Sequence, residues 1–423
     1  MATIHIPYGN TELKLTVPDR RLRAVLEPKP ISPLTAEQEE REVRRALQNP
    51  IGTPPLHRMV RGKKNIVIVS SDHTRPVPSR AIMPVVLDEI RRGSPGADIT
   101  ILIATGMHRK PTKDELLSKF GSGIVDNERI VVHDSYDAAA MDDVGVLPSG
   151  SRLILNRVAL EADFLMAEGC IEPHFFAGFS GGGKSVLPGI AGELSVRANH
   201  CAAFIASDRA VGGNLDGNPV QRDILYAAAK ARLAFIINVL IDENHNVFKA
   251  FAGHREDAHF AGVEALRAFA QAEPIKSPIV VTGNGGYPLD QNVYQSVKSM
   301  STAERACSDG GVIIAVNRCE GGHGGESFYR VLSQAADLES LHDEIMRIPA
   351  EETKIDQWEY QILARIMLKF KVIMVTEAPR GMIEDMGLLF SDSIERALEM
   401  AEIIVGDREA PVTAIPNGIA VFI

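Results

Sequence analysis

The chain of 423 residues has few cysteines and few aromatic residues. None of its four cysteines has the C-x-x-C spacing that zinc sites use, and their scatter does not suggest a disulfide scaffold. No apolar run approaches the roughly 18 residues of a membrane-spanning helix. The first residues also lack the basic and apolar regions of a secretion signal. These absences argue against a zinc knuckle and a membrane protein, and they predict a cytoplasmic location.

Basic residues are outnumbered by acidic ones. There are 45 lysines and arginines against 55 aspartates and glutamates, which gives a formal net charge of −10. Non-specific nucleic-acid binding needs a basic face, so this balance argues against it. A local basic site on an acidic body still fits a small anionic substrate.

Short apolar runs alternate with amphipathic helices along the chain. The runs Asn65–Val69 and Asp98–Ala104 are typical of buried parallel strands. The alternation predicts an α/β fold, and the length predicts two domains with mainly parallel sheets. We place the first domain in residues 1–272 and the second in 273–411. The terminal segment 412–423 is expected to pair back onto the first sheet.

Polar residues that could take part in catalysis or binding follow these predicted strands. Asp72 and Arg75 come after the first run, and His108 comes after the second. His174 follows a third run, Asp163–Glu168. Ligands of open α/β sheets bind at the carboxyl ends of the strands, so one cleft is expected to gather these residues as an active site. Imidazole suits acid–base chemistry or metal binding, and guanidinium suits carboxylate recognition.

A glycine-rich stretch lies between Glu172 and Cys201. Residues Gly178–Ser185 satisfy G-x-x-x-x-G-K-[ST], the loop whose backbone amides cradle phosphates. Asp242, which follows an apolar run, resembles the acid that holds magnesium in such enzymes. However, His174 and its neighbours separate the loop from the preceding strand, and Pro188 interrupts the helix that should follow. A nucleotide-dependent enzyme is therefore an alternative, and the wide histidine spacing leaves a zinc hydrolase a weaker one.

The second domain gives weaker signals. Gln295 and Lys298 are three residues apart on a predicted helix, so they share one face, and Tyr294 pairs with Lys298 at four residues. Periodicity alone favours a solvated helix face for this set. Trp358, the single tryptophan, lies in an amphipathic helix and by itself favours core packing. His323, between two glycine pairs, is assigned only to a loop.

Five segments together resemble the nickel-pincer lactate racemase family, whose members act on lactate and related 2-hydroxy acids. The segments lie in both domains and are long enough to make chance agreement implausible. They are D-H-T-R-P-V-P-S (Asp72–Ser79), G-M-H-R (Gly106–Arg109), E-P-H-F-F-A-G-F-S-G-G-G-K-S-V-L-P-G (Glu172–Gly189), R-A-N-H (Arg197–His200) and Y-Q-S-V-K (Tyr294–Lys298).

The resemblance implies a nickel-pincer nucleotide, a pyridinium-3,5-bisthiocarboxylic acid mononucleotide that carries nickel, joined covalently to Lys184. His200 would be the protein ligand of the nickel, and residues 1–272 would form the cofactor-binding domain. The remaining cofactor contacts implied are Asp72, Gly181, Gly182, Gly183, Ser185, Tyr294 and Trp358. The glycine loop would then cradle the phosphate of the mononucleotide.

The resemblance also implies a mechanism, racemisation by proton-coupled hydride transfer. His108 and His174 would be acid–base groups on opposite sides of the substrate. Arg75, Gln295 and Lys298 would bind that substrate. Cofactor-maturation enzymes are implied as partners. Which 2-hydroxy acid is used stays open, and a non-catalytic protein that binds a hydroxy acid or the cofactor is the second alternative.

Overall fold

The computed structural model describes residues 1–423 as eighteen strands and sixteen α-helices. The strands are β1 (Ala2–Tyr8), β2 (Thr11–Val17), β3 (Leu22–Val25), β4 (Asn65–Ser71), β5 (Asp98–Ala104), β6 (Arg129–Val132), β7 (Met141–Val146), β8 (Arg152–Asn156), β9 (Phe164–Cys170), β10 (Pro173–His174), β11 (Gly178–Phe179), β12 (Leu233–Ile241), β13 (Val247–Gly253), β14 (Ser277–Gly283), β15 (Cys307–Val316), β16 (Lys371–Val375), β17 (Leu389–Ser391) and β18 (Val412–Ile415).

The helices connect these strands and cover the faces of the sheets. They are α1 (Ala36–Gln48), α2 (Leu56–Met59), α3 (Ser79–Gly93), α4 (Lys113–Phe120), α5 (Ser122–Val125), α6 (Arg157–Leu160), α7 (Glu193–Asn199), α8 (Ala202–Ile205), α9 (Pro219–Lys230), α10 (Asp257–Ala270), α11 (Val293–Ala306), α12 (Glu326–Ser333), α13 (Leu338–Met346), α14 (Gln357–Lys369), α15 (Arg380–Asp385) and α16 (Ile394–Val405).

The first sheet has six strands in the order β13-β12-β9-β4-β5-β6. All neighbours are parallel except β13, which is antiparallel to β12. The central strands are apolar along nearly their whole length because helices cover both faces of the sheet. The strand order reverses between β4 and β9. This reversal opens a crevice at the carboxyl ends of the two strands, where Asp72 and His174 follow.

The second sheet also has six strands, in the order β17-β16-β15-β14-β18-β3, and all of its neighbours are parallel. The predicted fold class, α/β with mainly parallel sheets, is therefore confirmed. The helices α11 and α14, which carry the candidate residues of this half, pack against each other on one side of the sheet.

The amino-terminal strands belong to the second sheet, although the predicted division placed them in the first domain. β3 pairs with β18 at the edge of the second sheet. In the β1–β2 hairpin, Ile6 and Leu15 are fully buried and share one apolar cluster with Ile279 and Ile314. The alternation of apolar residues indicated a hairpin, but it carries no information about which sheet the hairpin covers.

The carboxyl terminus also differs from the expectation. Val412–Ile415 forms a central strand of the second sheet, so it does not extend the first sheet. Residues 418–423 form no strand. Phe422 nevertheless packs against Phe179 of the glycine-rich region, with ring centroids 5.2 Å apart. The terminal residues thus contact residues 1–272 through this ring and through an isolated parallel bridge between Phe422 and Gln271, next to which the amide of Ala272 donates to the carbonyl of Phe422 at 2.9 Å.

The first half of the molecule, which carries the first sheet, meets the second half, which carries the second sheet, where α14 lies against α8. Gln361 donates a hydrogen bond to the carbonyl of Ala202 at 2.9 Å, and Arg365 donates one to the carbonyl of Ile205 at 3.3 Å. Because α8 follows directly after His200, this contact brings α14 next to the first half's polar strand ends. No helix combines the length and apolar character needed to cross a membrane.

Candidate active site

The loop after β4 holds a buried carboxylate against a histidine. Asp72 is 2% exposed, and one of its oxygens accepts hydrogen bonds from the amide of Thr74 at 3.0 Å and its hydroxyl at 2.6 Å. The other oxygen lies 2.8 Å from Nδ1 of His108. Burial raises the pKa of Asp72, but the contacts with His108 and Thr74 outweigh burial and leave the pKa below its ordinary value. An ionised Asp72 places the proton of a neutral His108 on Nδ1 and leaves Nε2 free to act as a base.

His174 is held by aromatic rings and not by a carboxylate. It lies in the β10–β11 hairpin, stacks on Phe175 at 5.1 Å and meets the edge of Phe176 at 4.6 Å. Its Nδ1 accepts a hydrogen bond from the amide of Ala177 at 3.3 Å, so the neutral ring carries its proton on Nε2. The two candidate histidines are thus fixed in opposite tautomers.

The surroundings of His174 keep its imidazole neutral. Burial is the largest cause, and the nearby charges of Lys184, Arg75 and Lys298 add to it, so the pKa of His174 falls well below its ordinary value. His200 contributes in the same direction. These four groups come from four separate segments of both halves, so the fold gathers them around one imidazole.

The glycine-rich loop forms a tight turn whose glycines are required by protein packing. Gly181 and Gly182 have φ angles of 77° and 53°. The amide of Gly182 donates to Oδ1 of Asn238 at 2.7 Å. A Cβ on Gly181 would lie 2.8 Å from that same oxygen, and one on Gly182 would lie 2.8 Å from the ring of His259. The sequence suggested that the glycines make room for a phosphate, whereas these Cβ directions point at the protein.

The loop does not have the architecture of a nucleotide-hydrolysing site. Gly182–Ser185 forms one 3-10 turn and not the start of an α-helix. Asp242 is occupied in the turn between β12 and β13, where it accepts hydrogen bonds from the amides of Asn244 and Asn246, each at 2.9 Å. The structure therefore gives the nucleotide alternative no helix end and no free acid. No three His, Cys, Asp or Glu side chains are grouped as metal ligands, so the zinc alternative also lacks a site.

Lys184 is an amine that is easily deprotonated. Burial, helped by the charge of Arg75, lowers its pKa to about 7. The amine nitrogen lies 5.8 Å from the centre of the Phe176 ring. A substantial fraction of the side chain is therefore neutral, and nucleophilic, near neutral pH.

His200, at the end of α7, presents one free nitrogen. Its Nδ1 donates to the carbonyl of Val196 at 2.9 Å, which leaves the lone pair on Nε2. Burial and the charge of Lys184 lower its pKa to about 3. The ring lies edge-on to Phe176 at 4.9 Å and to Trp358 at 5.0 Å. A neutral imidazole whose other nitrogen is already bonded is the usual form of a metal-ligating histidine.

The second half supplies a lysine, an amide and a tyrosine from α11. The amine of Lys298 donates to Oε1 of Gln295 at 2.6 Å, and the hydroxyl of Tyr294 donates to Asp356 at 3.1 Å. Burial and Arg75 lower the pKa of Lys298, while Glu359 and Glu172 oppose them. The predicted helix face is therefore part of the cleft and not a solvated surface.

Sequence reasoning missed two acids at the start of α14. Glu359 lies on the helix, and Asp356 is its N-cap residue. Glu359 is 2% exposed, and one of its oxygens has no hydrogen-bond partner. Burial raises its pKa although Lys298 opposes the shift. Asp356, which bonds Tyr294, was also missed. The sequence offered one signal, since Glu359 lies on the apolar side of the helix that carries Trp358. Only the packing of α11 on α14 shows that this acid faces Lys298.

The fold and the site together define a class of protein, a two-domain α/β protein whose cleft collects imidazole, amine and guanidinium groups. Comparison with known proteins gives the family. Residues 8–213 match the lactate racemase N-terminal domain and residues 272–423 match the lactate racemase C-terminal domain. The chain belongs to the lactate racemase family, which confirms the resemblance seen in the sequence and the predicted isomerase class.

Individual relatives match along the whole chain. Lactate racemase from Thermoanaerobacterium thermosaccharolyticum is 50% identical over 424 residues, which cover 100% of this chain and 99% of that protein. Lactate racemase from Lactiplantibacillus plantarum is 44% identical, with 100% of both chains covered. The solved apoprotein of the Thermoanaerobacterium enzyme superimposes with a TM-score of 0.95 over 99% of each chain. A Thermotoga maritima protein, 20% identical with a TM-score of 0.66, covers 92% of this chain and 98% of its own and shares the fold alone.

Proposed function

We propose that this protein is a racemase that interconverts the two enantiomers of lactate, using a nickel-pincer nucleotide attached to Lys184. The observation that carries the proposal is the environment of His174, whose pKa is lowered by burial and by the charges of Lys184, Arg75 and Lys298, together with the pairing of His108 with Asp72. Lactate is chosen as substrate because both full-length relatives are named lactate racemase.

The residues present fit the proposed cofactor. An amine with a pKa of about 7 is suited to covalent attachment at Lys184. The lone pair on Nε2 of His200 is suited to one position on nickel. The aromatic rings of Phe176 and Trp358 flank that imidazole and exclude water from it. A cofactor that brings its own sulfur and carbon ligands needs only one protein ligand, which agrees with the lack of a three-residue metal cluster.

When bound, the nucleotide would supply a reversible acceptor for the hydride on C2 of the substrate. Arg75 and Lys298 provide two positive charges for the substrate carboxylate, and this hold lets the planar carbon skeleton turn without leaving the site. Gln295 fixes the Lys298 amine through the 2.6 Å hydrogen bond. The cleft between the two halves would limit the access of water.

The two histidines would exchange the hydroxyl proton of the substrate. In one direction His108 would accept the proton through its free Nε2, and protonated His174 would return a proton from Nε2–H to the opposite face; the reverse direction would use the two groups in exchanged roles. Asp72 stabilises the charge on His108 when it is protonated. Around His174 the positive charges of Arg75 and Lys298 favour return of the proton. A racemase has to serve both faces of its substrate, which is the reason for two bases.

The proposal is tested with protein produced together with the cofactor-maturation enzymes. We expect about one nickel per chain, a mass increase located on Lys184, and conversion of either pure enantiomer of lactate to the mixture. Nickel and adduct without turnover of lactate or of a panel of chiral 2-hydroxy acids would favour the binding-protein alternative. Tight magnesium–nucleotide binding with neither nickel nor adduct would overturn the proposal in favour of the nucleotide alternative.

The two-base assignment has its own test in His108→Ala and His174→Ala. Each is expected to lower the racemisation rate at least about a hundredfold, because general acid–base catalysis typically contributes that much or more. His5→Ala, in the exposed pair with Glu12 on the hairpin, is the control and should retain the parent rate. Unreduced activity in either site variant, measured from both enantiomers, would contradict the assignment.

A further inference from the structure

One buried carboxylate is bonded to both ends of the loop that carries Asp72 and Arg75. Glu168 lies on β9 and is 2% exposed. Its Oε1 accepts a hydrogen bond from the hydroxyl of Ser70 at 2.5 Å and another from the hydroxyl of Ser79 at 2.5 Å. Ser70 lies near the end of β4, just before the loop, and Ser79 is the first residue of α3 after it. One oxygen atom thus links the residues on either side of the loop.

A half-buried lysine lies next to this carboxylate. Lys119 on α4 donates to the hydroxyl of Ser71 at 3.2 Å, next to Ser70. Burial lowers the pKa of Lys119, while the charges of Glu168 and Asp72 oppose the shift. The second oxygen of Glu168 is buried without a hydrogen-bond partner. The base of the loop is therefore a polar cluster whose central group, Glu168, is buried together with Ser70 and Ser79.

Stability alone gives a weak account of this cluster. Replacing buried charged groups with apolar residues of similar volume is often neutral or stabilising, because desolvation costs as much as the attraction returns. Fixed geometry gives a stronger account. Asp72 at one end of the loop holds His108, and Arg75 in the middle of the loop acts on His174, Lys184 and Lys298.

We propose that Glu168 is a positioning residue, which fixes the 71–78 loop through Ser70 and Ser79 and so sets where Asp72 and Arg75 stand in the cleft. Its importance for turnover rests on the proposed function, in which Arg75 binds the substrate carboxylate and Asp72 orients a base. A displacement of about 1 Å at such groups costs on the order of a hundredfold in rate.

The kinetic test compares Glu168→Leu with Glu168→Gln in the cofactor-loaded enzyme. The leucine removes both acceptors, and kcat/KM for lactate is expected to fall about a hundredfold. The glutamine retains one carbonyl oxygen for both hydroxyls, so it should stay within about fivefold of the parent. Ser79→Ala frees the Arg75 side of the loop and should raise KM about tenfold with little change in kcat. Glu168→Leu within threefold of the parent, or glutamine as impaired as leucine, would overturn the proposal.

A second measurement needs no cofactor. In the apoprotein, amide hydrogen exchange of the 71–78 segment should accelerate about tenfold or more in Glu168→Leu and Ser79→Ala, and not in Glu89→Gln. Glu89 is the matched control, since it is 6% exposed on the same helix α3 and bonds His57 away from the loop. If exchange accelerates but even the parent protein does not racemise lactate, the proposed function fails and the positioning role stands. Unchanged exchange in Glu168→Leu and Ser79→Ala would refute the positioning role itself.

Discussion

The protonation states of the site's basic groups follow from burial more than from residue type. His174, Lys184 and His200 all have pKa values below their ordinary range, with burial as the first cause in each. His108 is different, because its side chain is 45% exposed and lies against Asp72. Burial therefore favours the neutral form of all three groups, with the proton of His174 on Nε2, a nucleophilic amine at Lys184 and a free Nε2 on His200.

The depressed pKa of Lys184 predicts how the apoprotein's stability depends on pH. Between pH 7 and 10.5 the unfolded chain holds a proton on this lysine that the folded chain has released. The free energy of unfolding should therefore rise with pH across that window, by up to about 1.4 kcal/mol per pH unit from this group. Lys184→Met removes the group and should flatten the rise, as followed by urea unfolding at pH 7, 8 and 9.

The control for this experiment is Lys14→Met, which changes an exposed lysine on β2. It should follow the parent curve. If Lys184→Met and the parent protein run parallel from pH 7 to pH 9, the amine is charged in the folded state, and a covalent attachment at neutral pH loses its physical support.

At the scale of elements, the glycine loop has a tightly restricted conformation. Its turn needs a left-handed backbone at Gly181 and Gly182, and its glycines touch β12 and α10 with no room for a side chain. The turn places Lys184 between the strand ends of the first sheet and α9. The position of the lysine thus depends on packing between the turn and the elements under it.

Gly182→Ala should lower the free energy of unfolding more than the same substitution at a left-handed glycine that has open space around it. The added methyl would lie 2.8 Å from the His259 ring, in addition to the φ angle of 53°. The angle alone costs about 1–2 kcal/mol, and the clash should raise the loss of unfolding free energy above that. Gly406→Ala is the matched control, with φ of 75° and nothing within 4 Å.

The two variants are compared by denaturant unfolding and by the mass adduct on Lys184 after maturation. Gly182→Ala should lose stability beyond the control and carry less adduct. Equal losses in the two variants would show that the contact with His259 relaxes without cost.

At the scale of the whole molecule, the first segment of the chain packs against the second sheet, which is built mainly from the last third of the sequence. The β1–β2 hairpin covers a face of the second sheet and β3 forms its edge, although about 250 residues of the first half intervene in the sequence. The matched C-terminal domain, residues 272–423, is therefore not a complete folding unit in this structure. The domain boundary at residue 272 stays a prediction. The amino-terminal strands do not follow it, because they belong to the second sheet.

Deletion of residues 1–26 tests this arrangement. We expect the deletion to uncover the cluster that contains Ile279 and Ile314 and to speed amide exchange in β14 and β15 far more than in β4 and β5. Ile6→Ala, at a fully buried position, should cost about 2–5 kcal/mol. The control Ile403→Ala, at a position 77% exposed, should cost little. Equal acceleration in both sheets would contradict the assignment of the hairpin to the second half.

The extent of successful prediction differs between central and edge strands. The predicted Asp98–Ala104 has the bounds of β5, and Asn65–Val69 is extended only by two serines in β4. Continuous apolar runs are unambiguous because both faces of a central strand are buried. The edge strand β13 and the short β17 were not predicted, because edge strands depend on a neighbour and carry a mixed pattern.

The sequence by itself determined the α/β class, the central strands of the first sheet and the candidate residues, because apolar periodicity is local and the family segments are contiguous. Only the tertiary structure decided where the terminal strands lie, which tautomers His108 and His174 adopt, and how far the pKa of Lys184 falls. It also decided that Glu168 faces Ser70 and Ser79, and that Glu359 faces Lys298. These properties arise from burial and from partners distant in the chain, neither of which is written in the order of neighbouring residues.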